Sequence, residues 1–560
     1  MAASEKDAET TTTPAAAMPD EATPDSNSSS KKDLRFWLVF LSISMATFLA
    51  ALDTSIISTA LPTISAELGS GELYIWVINT YLLSSTVFSA VFGQASNIFG
   101  RRPMTAAAVV IFAVGSAVAG AAHSTGMLLA GRTIQGIGGG GIATMSEVVI
   151  CDMVSLRERG MYAGIIGAVW AVAAVIGPII GGGFAQGVSW RWIFYLNLPI
   201  SGVALVLILT LLNLRNPRKS TSMRERLLSV DWVGNTLLTL GVTSVLLSLT
   251  WAGTTNPWSS WRTIVPLVLG LVGLGGFMAY EATPWVKEPT MPIHLFANRS
   301  AAALFAISFV HSMMLFWICY FMPVYFQAVR DASPTRSAVM LFPIATTTAP
   351  AGILAGGMIT KTGKYRVWHF SGFLLMTLGC GLFTLLDENS STGRWTGFQI
   401  LFGVGTGVVF TSVLPPILAC LDESDVATAT ATWTFLRNFG SIWGTAIPAA
   451  VFNTRANDML SSIANKQAQA LLVNGGAYEH ATKAFMETFR GDPSLLAAIK
   501  HLYVVSLKEV WQVSIAFSGV GFLLAFLVRS YTLRDQLNTE YGLNTEKTAS
   551  PEAPNPDPNI

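Results

Sequence analysis

Long apolar stretches, broken by short segments carrying Gly, Pro or basic residues, run from about residue 36 to residue 528. An α-helix rises 1.5 Å per residue, so ~20 apolar residues cross the ~30 Å hydrocarbon core of a bilayer. Fourteen stretches reach that length. The pattern predicts helices over Phe36–Ala60, Leu73–Phe92, Met104–Ala122, Met127–Ile150, Tyr162–Phe184, Trp192–Leu212 and Trp232–Trp251. A second set follows over Ile264–Tyr280, Ala301–Phe321, Ala338–Ile359, Val367–Leu386, Phe398–Leu418, Val426–Phe452 and Val510–Val528. Ile264–Tyr280 is short, and Val426–Phe452 carries Arg437. Helices satisfy every backbone polar group internally, as lipid requires. The pattern therefore predicts an all-α polytopic membrane protein.

The polar segments set the topology. Residues 1–35 and 529–560 are low-complexity sequence without an apolar period and read as disordered tails. With the N-terminus cytoplasmic, the inner loops hold fourteen Lys and Arg against five in the short outer loops. Adding the membrane-proximal tails and the long outer loop 453–509 gives 19 against 11. The positive-inside rule thus puts both termini in the cytoplasm, as an even helix count requires.

Composition narrows the function. Hydrophobic residues make up 51% and charged residues 12%, too little polar surface to clothe a soluble fold of this size. A net charge of +1 offers no basic field to nucleic acid. Four separated cysteines exclude a disulfide framework and ordinary Cys-based zinc motifs. No P-loop is present (Gly363-Lys364 is followed by Tyr365), and no segment outside the spans is large enough for a nucleotide-binding domain. No span presents a Ser/His or His/Asp arrangement, so neither an enzyme nor a resident cofactor or metal is expected.

The chain repeats itself. Gly93, six residues, Gly100 and the basic pair Arg101-Arg102 recur 263 positions on as Gly356, six residues, Gly363 and Lys364-Tyr365-Arg366. The same offset superposes the starts of the first and ninth helices. Two six-helix halves, 36–212 and 301–528, are predicted around a segment 213–300 that contributes a cytoplasmic loop and two extra helices. Duplicated halves that enclose a midplane site characterise secondary transporters.

Charge inside a span costs about 2.5–3.5 kcal/mol, so each case needs a partner or a purpose. Asp53 and Arg132 fall at matching depth in the first and fourth helices, which makes them a candidate pair. Glu147 lies about 22 Å deeper on nearly the same face as Arg132, with no cation evident at its depth. It suits a site that loads and releases protons, unless it has reached the inner interface and is merely solvated. Arg437 could orient an anionic substrate or act as packing glue. Gly136 to Gly141 spell G-x-G-x-x-G, but inside an apolar helix these small residues serve close packing rather than a dinucleotide.

Several of these stretches resemble the major facilitator superfamily, specifically its fourteen-helix drug:proton antiporters and their fungal toxin-efflux branch. The loop Gly93–Met104 is similar to the signature loop between the second and third helices, with Asn97 where an Asp is usual. Leu52 to Pro62 resembles the first-helix motif, Gly131-Arg132-Thr133-Ile134-Gln135-Gly136 the fourth-helix motif, and Gly167 through Gly177, Pro178 and Gly181 the fifth-helix antiporter motif. Phe435 to Gly440 matches in the thirteenth helix. The resemblance implies a monomeric proton-coupled exporter of small hydrophobic compounds in the plasma membrane. On the same fold, siderophore or vacuolar amino-acid transport in a vacuolar membrane is the alternative, and a non-transporting sensor is disfavoured by the short tails. It assigns coupling and gating to Asp53 and Arg132, to which the depth of Glu147 adds that carboxyl. Asn79, Gln135, Trp317, Tyr320, Gln327 and Arg437 are candidates for the substrate cavity, and Asn389 is a glycosylation site in an outer loop.

Overall fold

The computed structural model describes residues 32–68, 76–215, 222–252, 256–473 and 475–535. Most of both tails and the first residues of the expected second helix (Leu73–Ile75) lie outside the described residues. Among the described residues the architecture is helical, with one isolated β-bridge, Ala252 to Asn256. The first half comprises α1 (Leu34–Leu68), α2 (Trp76–Phe99), α3 (Arg101–Gly120), α4 (Thr125–Met153), α5 (Arg159–Gly187), α6 (Arg191–Tyr195) and α7 (Asn197–Leu211). The middle segment gives α8 (Met223–Ser229), α9 (Trp232–Trp251) and α10 (Trp261–Glu281). The second half holds α11 (Arg299–Val324), α12 (Pro334–Met340), α13 (Phe342–Thr362), α14 (Arg366–Phe383), α15 (Thr392–Ala419) and α16 (Val426–Met459). It closes with α17 (Lys466–Leu472), α18 (Gly476–Glu479), α19 (Lys483–Thr488) and α20 (Pro493–Leu527).

Every expected span falls on a helix, and twelve helices or helix pairs among the described residues are long and apolar enough to cross a membrane. The expected spans Val367–Leu386 and Val426–Phe452 fall on α14 and α16, which are outside those twelve. α16 carries Thr428, Thr430, Thr432, Thr434, Arg437 and Asn438 within one stretch, which dilutes its apolar character. Other differences concern boundaries. The sixth expected span is two helices that break at Leu196, and the tenth breaks at Leu341, just before Pro343. The last helix begins at Pro493 rather than Val510. Its added turns bury Leu495, Ile499, Leu502 and Tyr503 against the second half's core, while Lys500 turns outward to pair with Asp331. Those charged positions are what hid the helical period.

Glycine lets the helices approach. A Cβ at Gly138 would run into Phe112 N on α3, and one at Gly140 into Ser85 O on α2. The Gly136–Gly141 run is thus the seat of three packed helices. The halves meet along two related seams, α2 on α16 and α5 on α13. The 263-residue repeat relates α2 to α13, and its two glycines sit at equivalent places. A Cβ at Gly93 would collide with Ala431 Cβ, and one at Gly356 would lie 2.5 Å from Gly160 O. Gly100 and Gly363 both adopt positive φ, 95° and 68°, which is why the repeat keeps glycine at each turn.

Candidate functional site

Among the described residues of the two halves, three polar constructions stand out against the apolar packing. The first is in the first half and is closed. Arg132 Nη1 donates to Asp53 Oδ2 at 2.6 Å, both side chains being almost wholly buried. Arg132 Nε donates to the Val77 carbonyl (3.0 Å), and its guanidinium stacks on the Tyr81 ring at 4.4 Å. The other carboxylate oxygen, Asp53 Oδ1, accepts from Gln135 Nε2 (2.6 Å) and Asn197 Nδ2 (2.9 Å). Ser116 Oγ accepts from Gln135 Nε2 at 2.8 Å. One carboxylate therefore ties α1, α2, α3, α4 and α7 together, and charge-assisted hydrogen bonds of this kind are the strong ones. Gln135, expected in a cavity, is buried in this network instead. Asn197 and Ser116 were not singled out in the sequence, where an amide or hydroxyl in an apolar helix gives no sign of its partner.

The second construction lies where the halves meet. Glu147 of α4 is buried and interacts electrostatically with Arg437 of α16, without a direct ion pair. The absence of a cation near Glu147, expected from the sequence, is corrected: the cation comes from the other half, which no depth argument within one half could supply. Arg437 lies over the rings of Phe410 (4.5 Å) and Trp433 (4.4 Å), and its Nε is buried without a hydrogen-bond partner. His311 of α11, not singled out in the sequence, also feels the Arg437 charge, and its Nε2 sits 3.0 Å from the Thr406 carbonyl. A Cβ at Gly167 would lie 3.5 Å from the Phe410 ring, so the glycine-rich stretch of α5 borders this centre. Gly177 packs on Ser55 of α1, and Gly181 is buried. The side chain of Pro178 lies outside the described residues.

The third is the signature-loop end, where the halves are shut. Arg101 is buried, pairs with Asp152 at 2.8 Å and donates to Asn97 Oδ1 at 2.8 Å. Asn97 Nδ2 in turn donates to Thr428 Oγ1 at 3.0 Å, beside the first turn of α16. The neutral amide at the position of the usual acid thus bridges the halves by a hydrogen bond, and Asp152 takes the charge of Arg101. On the other seam Arg157 Nη2 donates to the Lys361 carbonyl (2.8 Å) and Thr360 Oγ1 donates to the Arg157 carbonyl (3.0 Å). Arg102 contributes inside its own half, donating to the Leu209 carbonyl.

Toward the opposite end, a cavity of about 160 Å³ opens among α2, α9, α11 and α16. Asn79 and Tyr320 line it, together with Trp76, Thr250, Ser441 and Thr445. Of the other expected cavity residues, Trp317 is fully buried against Phe517 in the second half's core, and Gln327 is half-buried in the π-turn after α11. Asn389 is exposed between α14 and α15. By contrast Asn298, which begins a second Asn-x-Ser sequence (Asn298-Arg299-Ser300), caps α11 and bonds to Tyr531.

These features define a class: a multi-pass helical membrane protein of two repeated halves that close over a buried charged centre. The Major Facilitator Superfamily profile matches residues 43–445, and the chain belongs to that superfamily. It is 70% identical over 518 residues to the acurin A biosynthesis cluster MFS-type transporter of Aspergillus aculeatus, covering 92% of this chain and 93% of that one. It is 64% identical over 519 residues to the MFS-type efflux pump LUC4 of a Fusarium species, covering 93% and 92%. Among solved structures the human organic anion transporter MFSD10 shares the fold, with a TM-score of 0.57 and 14% identity over 88% of this chain and all of that one.

Proposed function

We propose that the chain exports small hydrophobic metabolites or toxins in exchange for protons, as a monomer in the plasma membrane, alternating between inward- and outward-open states. It spans the bilayer fourteen times, with α14 and α16 completing the set and both termini cytoplasmic. The observation that carries this reading is the buried Glu147–Arg437–His311 centre at the junction of the halves, sealed on one side by the Asn97–Thr428 and Arg157–Lys361 contacts. The names of its high-identity relatives, an MFS-type transporter of a biosynthesis cluster and an MFS-type efflux pump, support export.

Glu147 is the carboxyl that binds and releases the proton. Protonation removes its attraction to Arg437, weakens the electrostatic hold between the halves and biases the opposite state. Asp53, Arg132 and Gln135 hold the first half rigid while this occurs. The largely apolar cavity at Asn79 and Tyr320 marks the path of a weakly polar cargo. The inward proton supplies about 2.3 kcal/mol per 100 mV of membrane potential, with the pH gradient added to it. Cells expressing the chain are the test. Resistance to hydrophobic toxins that disappears in Glu147→Gln at unchanged surface expression supports the reading, and full resistance in that variant overturns the assignment of Glu147.

A further inference from the structure

Outside both halves, two carboxyls are packed together at the ends of the middle helices. Asp231 caps α9, its Oδ1 accepting from Gly234 N at 2.9 Å. Glu281 ends α10, its Oε1 accepting from Thr290 N at 3.0 Å. The two side chains are within hydrogen-bonding reach of one another, and they are only 7% and 5% exposed. Their remaining oxygens, Asp231 Oδ2 and Glu281 Oε2, are buried without a hydrogen bond, while the Tyr280 hydroxyl approaches Asp231 and the Met291 N–H approaches Glu281. Gly234 makes room for this arrangement, since a Cβ there would overlap Asp231 Oδ2. Tyr280 of α10 faces Asp231; along the chain, Lys287 and Glu288 follow Glu281 in the connection to α11, and Arg224 and Arg226 precede Asp231 in α8. α2 offers the neutral Gln94.

We propose that the Asp231–Glu281 pair is a binding site for one proton, held between Oδ2 and Oε2, and that this proton fastens the middle helices to the gate helix α2. Two bare carboxylates in contact and out of water repel each other and lose their hydration, whereas one shared proton replaces both penalties with a hydrogen bond. A chain of bonds leads from the pair to the gate. Thr290, which donates its N–H to Glu281, donates its hydroxyl to Asn235 Oδ1 at 3.0 Å. Asn235 Nδ2 donates to Gln94 Oε1 at 2.8 Å, and Gln94 Nε2 donates to the Glu288 carbonyl. Gln94 is next to Gly93, whose α-carbon rests on Ala431, and one turn from Asn97, which bonds Thr428. Loss of the proton drives Asp231 and Glu281 apart, and Thr290, Asn235 and Gln94 move with them, loosening α2 from α16. The site lies outside the centre assigned to transport, so it stands or falls apart from the export reading.

The test uses the purified full-length chain and needs no cargo. Infrared spectra across a pH titration should show, beside the contribution of Glu147, a protonated-carboxyl component in the wild type that is lost in both Glu281→Gln and Asp231→Asn. Asn at position 231 keeps the helix cap, and circular dichroism confirms folding. In the same samples, hydrogen exchange of residues 426–434, corrected for intrinsic rate, should rise several-fold from mildly acidic to mildly alkaline pH in the wild type. It should show no such rise in Glu281→Gln, where the amide supplies the missing donor at every pH. An unchanged carboxyl band in both variants overturns the shared proton. An unchanged pH response of residues 426–434 in Glu281→Gln overturns the link to the gate.

Discussion

Removing Arg132 would leave the Asp53 carboxylate buried with only the Gln135 and Asn197 amides as partners. Breaking a buried pair from one side costs about 3–5 kcal/mol, because the remaining charge is uncompensated. Arg132→Ala should therefore lower the yield of folded protein, while the double variant Asp53→Asn/Arg132→Gln, which removes both charges, should recover most of it. Thermal unfolding of the purified variants distinguishes the two. Glu147 is different, because its counter-charge belongs to the other half and moves with it. Glu147→Gln should leave unfolding close to the wild type and reduce proton-coupled efflux at least about tenfold, a barrier change of ~1.4 kcal/mol. The Asp53–Arg132 pair was legible in the sequence because both residues lie in one half, where helix rise alone fixes relative depth. The Glu147–Arg437–His311 grouping was not, because it depends on how α4, α11 and α16 register across the junction, and no local pattern encodes that.

Helices were the most legible feature, since a span must be apolar over a length the bilayer dictates. Their breaks and extensions were less so. Lys500 and His501 made the start of α20 look like loop, although its buried face keeps a helical period. The repeat was legible too, and its packing consequence is specific. Gly356→Val would press a branched side chain against the Gly160 carbonyl, and overpacking of this kind costs about 1–3 kcal/mol. The shut arrangement of the signature-loop end should lose population accordingly, and spin-label distances across that end should lengthen. Asn97→Asp should act in the opposite direction. A carboxylate there stands between Arg101 and the N-terminal turn of α16, and the helix dipole favours a negative charge by about 0.3–1 kcal/mol. Tighter closure should slow turnover in a transport assay, and faster turnover would contradict this role for the bridge.

At the level of the whole molecule, the proposed cycle has one half rock against the other along the two seams related by the repeat, about the charged centre between them. Topology fixes which way that movement carries cargo. The exposed Asn389 should carry glycan in a eukaryotic host, and Asn389→Gln should abolish the mobility shift, whereas glycan on Asn298 would invert the orientation. The most direct measurement is uptake of a labelled hydrophobic compound into sealed vesicles containing the purified chain, with an imposed proton gradient and no nucleotide. Accumulation that follows the gradient, collapses with an uncoupler and is lost in Glu147→Gln is the expected result. Accumulation that persists after uncoupling yet stops without ATP would contradict it.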